Sequence, residues 1–319
     1  MNWVPLLFID DVCHQLRSKS FKDVSQLSSS WFTFGSKHQG RRREFTFTYN
    51  PTGNTYVLKC ARTDFSCMAE HLNLKYDRIT SVSFHQRKAI SDDELDDDEH
   101  EDVHPIRSPV HPLKVSVSLD KLQRVVIPII TSLAANCSWD YCAPERRSRE
   151  QGRIIFNAFK KCPGFNIIKL RKQSQESRDF LEQQVESGNV EELQLREHTH
   201  THKSDWPEPE KLAKTLKTFV SSTRFKSLNV SRRVPNDCEL MALFLQRALA
   251  GELKRGAGIY FGKITFENSG LAALRPECRA ESKKVVWCIP NTNRRVIFGK
   301  DRFSIFGLFD QSSKGLEVW

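Results

Sequence analysis

The chain has 319 residues, 39% of them hydrophobic and 10% aromatic, a composition that excludes disorder and leaves room for about two domains. Its formal net charge of +10 suits an acidic or nucleic-acid partner better than a basic one. The longest apolar run, Val125–Ile130, is interrupted by Pro128 and is far shorter than the roughly 18 to 20 residues that span a bilayer, so no membrane segment is expected.

Val4-Pro5 opens a predicted helix. Leu7, Phe8, Val12 and Leu16 fall on one side of it at a 3.6-residue period, with Pro5 tolerated in the first turn. Lys19 and Ser20 break it. Ser20 or Asp23 then caps a second short helix that carries Val24, Leu27 and Trp31. Two helices this short cannot hold each other. They need the body of the protein or a partner. Asp10 and Asp11 interrupt any apolar leader, and the 9 cysteines are scattered and odd in number. Both features predict an intracellular chain with buried free thiols.

Residues 37–43 read as a basic connector. Glu44–Tyr49 and Thr55–Cys60 alternate around the turn Asn50–Asn54 and predict a hairpin. His71–Tyr76 and Ile79–Phe84 are further strand candidates. Residues 86–112 form an acidic, proline-containing insertion that lacks the apolar residues for a core. It holds Asp92, Asp93, Glu94, Asp96, Asp97, Asp98, Glu99, Glu101 and Asp102, leaving a more strongly basic remainder.

Strands and helices alternate from there on. The pattern predicts a strand over Lys114–Leu119 and helices over 120–134 and 145–161. Strand Phe165–Leu170 and helix 175–187 follow, the helix stopped by Gly188-Asn189. Then come strand Glu192–Arg196, helix 208–221, strand Phe225–Val230, helix 236–250 stopped by Gly251, and strand Ile259–Phe266. Lys283–Trp287 and Arg294–Phe298 close the series as a hairpin. Strand starts recur about 30 residues apart, as in repeated strand–helix units. The expected fold is α/β: a short N-terminal helical segment over 1–36, a β-hairpin and strand region over 44–85, the insertion over 86–112, a βα domain over 113–300 and a tail over 301–319. The βα domain reads as a mainly parallel, leucine-rich-repeat-like curved sheet, with a doubly wound sheet as the alternative.

Signals for chemistry are few. His198-Thr-His-Thr-His202 would place three imidazoles on one face of a strand, about 6.6 Å apart. His198, His200 and His202 are the metal candidates; an exposed loop is the other reading. Cys137 and Cys142, at an expected helix-to-loop junction, lack a second cysteine pair at ligand spacing. Gly256 and Gly258 precede a strand, whereas a phosphate cradle needs glycines before a helix. No nucleophile elbow or phosphate loop is written. No enzyme activity and no cofactor is expected.

Val4-Pro5-x-x-Phe8-x-x-x-Val12-x-x-x-Leu16, followed by Asp23-Val24-x-x-Leu27-Ser28-x-x-Trp31, resembles the F-box. Asp10 and Asp11 depart from its apolar first helix. The whole chain is similar to the nematode F-box-associated families, on Leu216-Lys-Thr-Phe-Val-Ser-Ser, Phe225-Lys-Ser-Leu, Gly262-Lys-Ile-Thr-Phe266 and Val285-Val-Trp-Cys-Ile-Pro290. The resemblance implies a substrate adaptor of an SCF-type ubiquitin ligase. Val4, Pro5, Phe8, Val12, Leu16, Val24, Leu27 and Trp31 would dock an adaptor subunit as a helix in a groove, and the βα body would recruit a target. Two other readings stand beside it. The same residues can cap strands 44–84 as ordinary core, and the basic body can bind nucleic acid.

Overall fold

The computed structural model describes residues 5–16, 20–24, 26–27, 29–61, 63, 65–85, 112–142, 149–162, 164–171, 174–196, 209–230, 237–261, 279–281, 284–288, 294–299 and 304–310. The chain divides into two compact units, Met1–Ala158 and Phe159–Trp319. Both are α/β. No helix among the described residues is long and apolar enough to cross a membrane.

In the first unit, helices α1 (Leu6–Gln15), α2 (Phe21–Val24) and α3 (Ser29–Arg41) precede the sheet. The hairpin forms as its alternation dictates. β1 (Glu44–Asn50) pairs antiparallel with β2 (Thr55–Cys60), from Phe45 opposite Cys60 to Asn50 opposite Thr55. Phe45, Phe47 and Tyr49 on β1 and Tyr56, Leu58 and Cys60 on β2 are buried, the period of two that a strand with one covered face requires. Asn54 takes a positive φ of 46° in the turn, which Asn tolerates, and its Oδ1 accepts the Tyr49 hydroxyl at 3.0 Å.

The outer edge of β2 is paired by β3 (Ser66–Cys67) at one end. β4 (Arg78–Phe84) lies parallel to β1. β5 (Val115–Ser116) pairs with the other end of β2. A helical stretch follows as α4 (Leu119–Lys121), a π-helical turn (Leu122–Val126) and α5 (Ile127–Leu133). The Ile127 N–H reaches back to the Leu122 carbonyl just before Pro128, which has no N–H to give; a π-turn absorbs such a break. β6 (Ala134–Tyr141) is parallel to β4. Phe156 of α6 (Arg149–Phe159) packs on Trp139 and Tyr141 of β6, with ring centroids 6.0 and 4.5 Å apart.

The second unit repeats one step. β7 (Phe165–Leu170), α7 (Gln175–Glu186), β8 (Glu192–Leu195), α8 (Pro209–Ser221), β9 (Ser227–Val230), α9 (Asp237–Leu249) and β10 (Gly258–Phe261) alternate along the chain. Each strand pairs parallel with the next, and α7 packs on α8 and α8 on α9. The order runs without the reversal that marks a doubly wound sheet. Buried residues fall at i, i+3 and i+5 in three successive units: Phe165, Ile168, Leu170; Val190, Leu193, Leu195; Phe225, Leu228, Val230. Ser174 and Ser177 cap α7 reciprocally, and Gly188 stops it at φ +71°. β11 (Arg279–Glu281), β12 (Lys284–Cys288), β13 (Arg294–Gly299) and β14 (Ser304–Asp310) are antiparallel, and β14 pairs with both β13 and β10.

Several elements differ from the sequence expectation. Three N-terminal helices form, not two: the expected second helix is divided, with Val24 on α2 and Trp31 on α3, and the expected connector 37–43 supplies the last turn of α3. His71–Tyr76 is a 3₁₀ turn (Ala69–His71) and an irregular segment. Asn73 Oδ1 accepts the N–H of Lys75 at 2.9 Å and of Tyr76 at 3.3 Å, an Asx turn that overrides the alternation. Cys137–Tyr141 is the body of β6, not a helix-to-loop junction, and Cys137 is buried. The strand expected over Lys114–Leu119 shortens to Val115–Ser116. β14 was not foreseen. Cys13, Cys60, Cys67, Cys137 and Cys162 are buried free thiols.

Candidate docking surface of the N-terminal helices

The three N-terminal helices have an inner and an outer side. Ile9, Cys13, Phe21 and Val24 form a buried cluster, with Leu16, Trp31 and Phe34 packed against it. On α1 the inward positions are Ile9, Cys13 and then Leu16, at i, i+4 and i+7, one helical stripe. On α3, Trp31, Phe34, Gly35 and His38 supply the facing stripe. Gly35 lets α2 come close: a Cβ there would lie 3.0 Å from Val24 Cγ1. Burying side chains of this size stabilises by about 1.5–3 kcal/mol each.

Polar contacts fix which side of α1 turns inward. Arg42, just past α3, donates to the Cys13 carbonyl at 2.7 Å and to the Leu16 carbonyl. These belong to the last turn of α1, whose carbonyls have no helical partner, and a cation suits that end of the helix dipole. The Arg42 guanidinium also lies 4.5 Å from the Phe21 ring centre. His38 is 0% exposed and its Nε2 meets Asp10 Oδ1 at 2.7 Å. Lys75 Nζ reaches the other Asp10 oxygen at 2.7 Å, tying α1 to the segment before β4.

Burial pushes the Asp10 carboxyl up, but the hydrogen bonds from Lys75 and His38 outweigh it and hold the group below its ordinary value. Burial pulls the His38 imidazole down, against the hydrogen bond it donates to Asp10. Beneath them, Arg43 grips Asp77 through two hydrogen bonds of 2.9 and 2.7 Å, and Asp77 is fully buried. Burial brings the neighbouring Arg78 down to about 10, so it remains a cation at neutral pH.

The exposed residues of these helices include charged ones, Asp11, Lys22, Lys37 and Arg41 among them, and also five large apolar ones. Leu6, Leu7, Phe8, Leu27 and Phe32 are 57%, 79%, 53%, 57% and 52% exposed. They come from all parts of the element: α1, the turn after α2, and α3. Exposed apolar side chains gathered on one small element mark interaction surfaces more often than scattered single ones do.

The sequence-derived docking residues therefore separate. Pro5, Phe8 and Leu27 are exposed, and Val12 is half-buried on the flank of α1. Leu16, Val24 and Trp31 belong to the internal packing. Val4 lies outside the described residues, as do His198, His200 and His202. Leu6, Leu7 and Phe32 were missed as outward residues, and Ile9, Cys13, Phe21, His38 and Arg42 as inward ones. The stripe Ile9–Cys13–Leu16 was readable by spacing; the partners of Asp10 were not, because they are distant in sequence.

Among the described residues, no group of three or more His, Cys, Asp or Glu is placed to hold a metal ion. In comparisons with known proteins, no family model, curated protein or solved structure matches this chain.

Proposed function

We propose that this chain is a non-enzymatic protein-interaction module: a substrate-recruiting adaptor of an SCF-type ubiquitin ligase, of the nematode F-box-associated type. Its N-terminal helices dock the ligase's adaptor subunit, and its leucine-rich-repeat-like βα body recruits a target. The observation that carries the reading is the outward set Leu6, Leu7, Phe8, Leu27 and Phe32, on helices whose inner side is already filled by the protein's own core. The F-box-like motif supplies the kind of partner. Asp10, which departs from that motif, has an internal role as acceptor for His38 and Lys75. The strand order β7–β8–β9–β10 supports the repeat-like body.

The test is capture of the purified ligase adaptor subunit by the full chain. Leu7→Asp with Phe8→Asp should abolish capture while leaving the melting temperature unchanged, since hot-spot residues in such grooves cost about 2 kcal/mol or more each when truncated. Capture that persists in this variant, or no capture by the unaltered chain, overturns the proposal.

A further inference from the structure

In the second unit, the turn after α6 and the last turn of α7 line an open pocket of about 260 Å³. Gln184 forms part of its wall and is 1% exposed. Its Nε2 donates to the Lys160 carbonyl at 2.9 Å, which sets the direction of the carboxamide. Its Oε1 is left buried with no hydrogen-bond partner. Buried acceptors are nearly always satisfied, because an unmet one has lost the hydrogen bond that water supplied. An orphan of this kind in a pocket wall marks a place for a donor that the chain itself does not provide.

The rest of the lining is bipolar. Ser187 donates its hydroxyl to the Gln184 carbonyl at 2.7 Å, so toward a ligand its oxygen can only accept. Glu186 precedes it and is exposed. These acceptors gather at the C-terminal end of α7, where the helix dipole is negative. Lys160 and Lys161 come from the other wall, the turn after α6. Among the described residues, the side chains of Lys160, Lys161 and Glu186 make no hydrogen bond or ion pair. Cys162 completes the lining and is 6% exposed. Burial pushes its thiol up, so it stays uncharged and presents a small apolar surface.

Acceptors on one wall and ammonium groups on the other suit a ligand that carries both charges. A simple anion would meet the lysines but leave Gln184 Oε1 orphaned beside Glu186. A simple cation would meet the acceptors but face two lysines. The volume lies below the roughly 300–1,000 Å³ of sites for drug-sized ligands, which restricts the occupant to a small metabolite.

We infer that this pocket binds a free α-amino acid, its ammonium group held by Gln184 Oε1, Ser187 Oγ and Glu186, and its carboxylate by Lys160 and Lys161. The site is separate from the N-terminal docking surface and does not rest on the ligase reading.

Isothermal titration calorimetry of the full chain against the proteinogenic L-amino acids, one at a time, should find at least one that binds saturably. Its N-acetyl derivative lacks the ammonium group, and its primary amide lacks the carboxylate. Each should bind about tenfold more weakly, the scale of one lost charge-assisted hydrogen bond. Its N-trimethyl derivative keeps both charges but has no N–H for Gln184, and should weaken by a similar factor. This probes the Gln184 acceptor without removing the contact to Lys160. Lys160→Gln with Lys161→Gln should weaken the free amino acid yet leave the amide unchanged. Glu186→Gln should weaken the free amino acid yet leave the N-acetyl derivative unchanged. Lys214→Gln, on the exposed side of α8, controls for net charge and should leave every affinity unaltered. No binding by any of the amino acids, no loss in the paired lysine variant, or an equal loss in the Lys214 variant overturns the inference. Binding of the N-acetyl derivative as tight as that of the free amino acid also overturns it and assigns the pocket to simple carboxylates.

Discussion

Arg42 donates to the carbonyl oxygen of Cys13 at 2.7 Å, so the residue that follows α3 closes the end of α1. Removing this side chain strands two carbonyls of the α1 terminus and uncovers the Phe21 ring. Each unsatisfied buried acceptor costs about 1–3 kcal/mol. Arg42→Ala should destabilise the first unit by about 3 kcal/mol, lowering its melting temperature by about 6–12 °C for a unit of this size. Arg42→Lys should recover little, because an ammonium cannot reproduce the forked donor geometry. Thermal unfolding followed by circular dichroism checks both.

The close approach of α2 to α3 rests on Gly35. Gly35→Ala puts a methyl group 3.0 Å from Val24 Cγ1 and should cost about 1–3 kcal/mol by overpacking. Val24→Ala removes the obstacle. In a double-mutant cycle the pair should be less destabilising than the sum of the two single changes, by at least about 0.5 kcal/mol. Strict additivity would show that the two helices separate instead.

The two sides of α1 should respond differently to the same substitution. Ile9→Asp places a carboxylate in the buried cluster and should unfold the N-terminal helices, costing about 3 kcal/mol or more. Leu7→Asp, two residues earlier on the exposed side, should change stability by no more than about 0.5 kcal/mol. Amide hydrogen exchange over 6–41 distinguishes the outcomes residue by residue.

His38 should make the first unit acid-sensitive. Its imidazole is buried, its Nδ1 has no hydrogen-bond partner, and burial lowers its pKa from 6.5. Protonation adds a buried N–H without an acceptor, on a ring that packs against Phe21 and Tyr76. It also adds a cation near Arg42, Arg78 and Lys75, with Asp10 as the opposing anion. The unfolded chain takes up the proton first, so stability is complete above 6.5 and falls as pH drops from there to the folded value. His38→Gln should flatten this slope. Asp10, whose pKa is lowered from 3.8, acts in a separate and more acidic window. Urea midpoints between pH 7.5 and 5 provide the measurement.

Tyr49 should produce an alkaline limit. Burial raises its phenol from 10.0 to about 12. Between those values the unfolded chain has released the proton that the folded chain keeps, so stability falls with rising pH at up to about 1.4 kcal/mol per unit. Tyr49→Phe should remove this contribution, leaving any other alkaline effects in place. A slope unchanged by the substitution would show that Tyr49 ionises freely.

The second unit was the more legible in sequence. Strand Phe165–Leu170 and the helices ending at Gly188 and Gly251 read almost residue for residue, because each is a local pattern, and each helix is closed by a glycine at positive φ. The recurrence of buried residues at i, i+3 and i+5, from Phe165 through Val230, was equally local and went unread. β6 was obscured because Ala134–Tyr141 follows α5 without a break and alternates polar with apolar only from Cys137 onward. The segment His71–Tyr76 misled because its alternation is real, while Asn73 and Asp77 spend their hydrogen bonds on a turn.

The sequence by itself determined where strands and helices alternate and that the N-terminal helices have apolar residues to spare, since both follow from the spacing of neighbours in the chain. It did not determine which side of α1 turns inward, because Leu7 with Phe8 and Ile9 with Cys13 are both apolar pairs. That choice belongs to Asp10 and His38, 28 residues apart, and to Arg42 at the end of α1. Nor did it bring Gln184 against the carbonyl of Lys160, 24 residues away, since that contact depends on packing between segments that meet only after the chain folds.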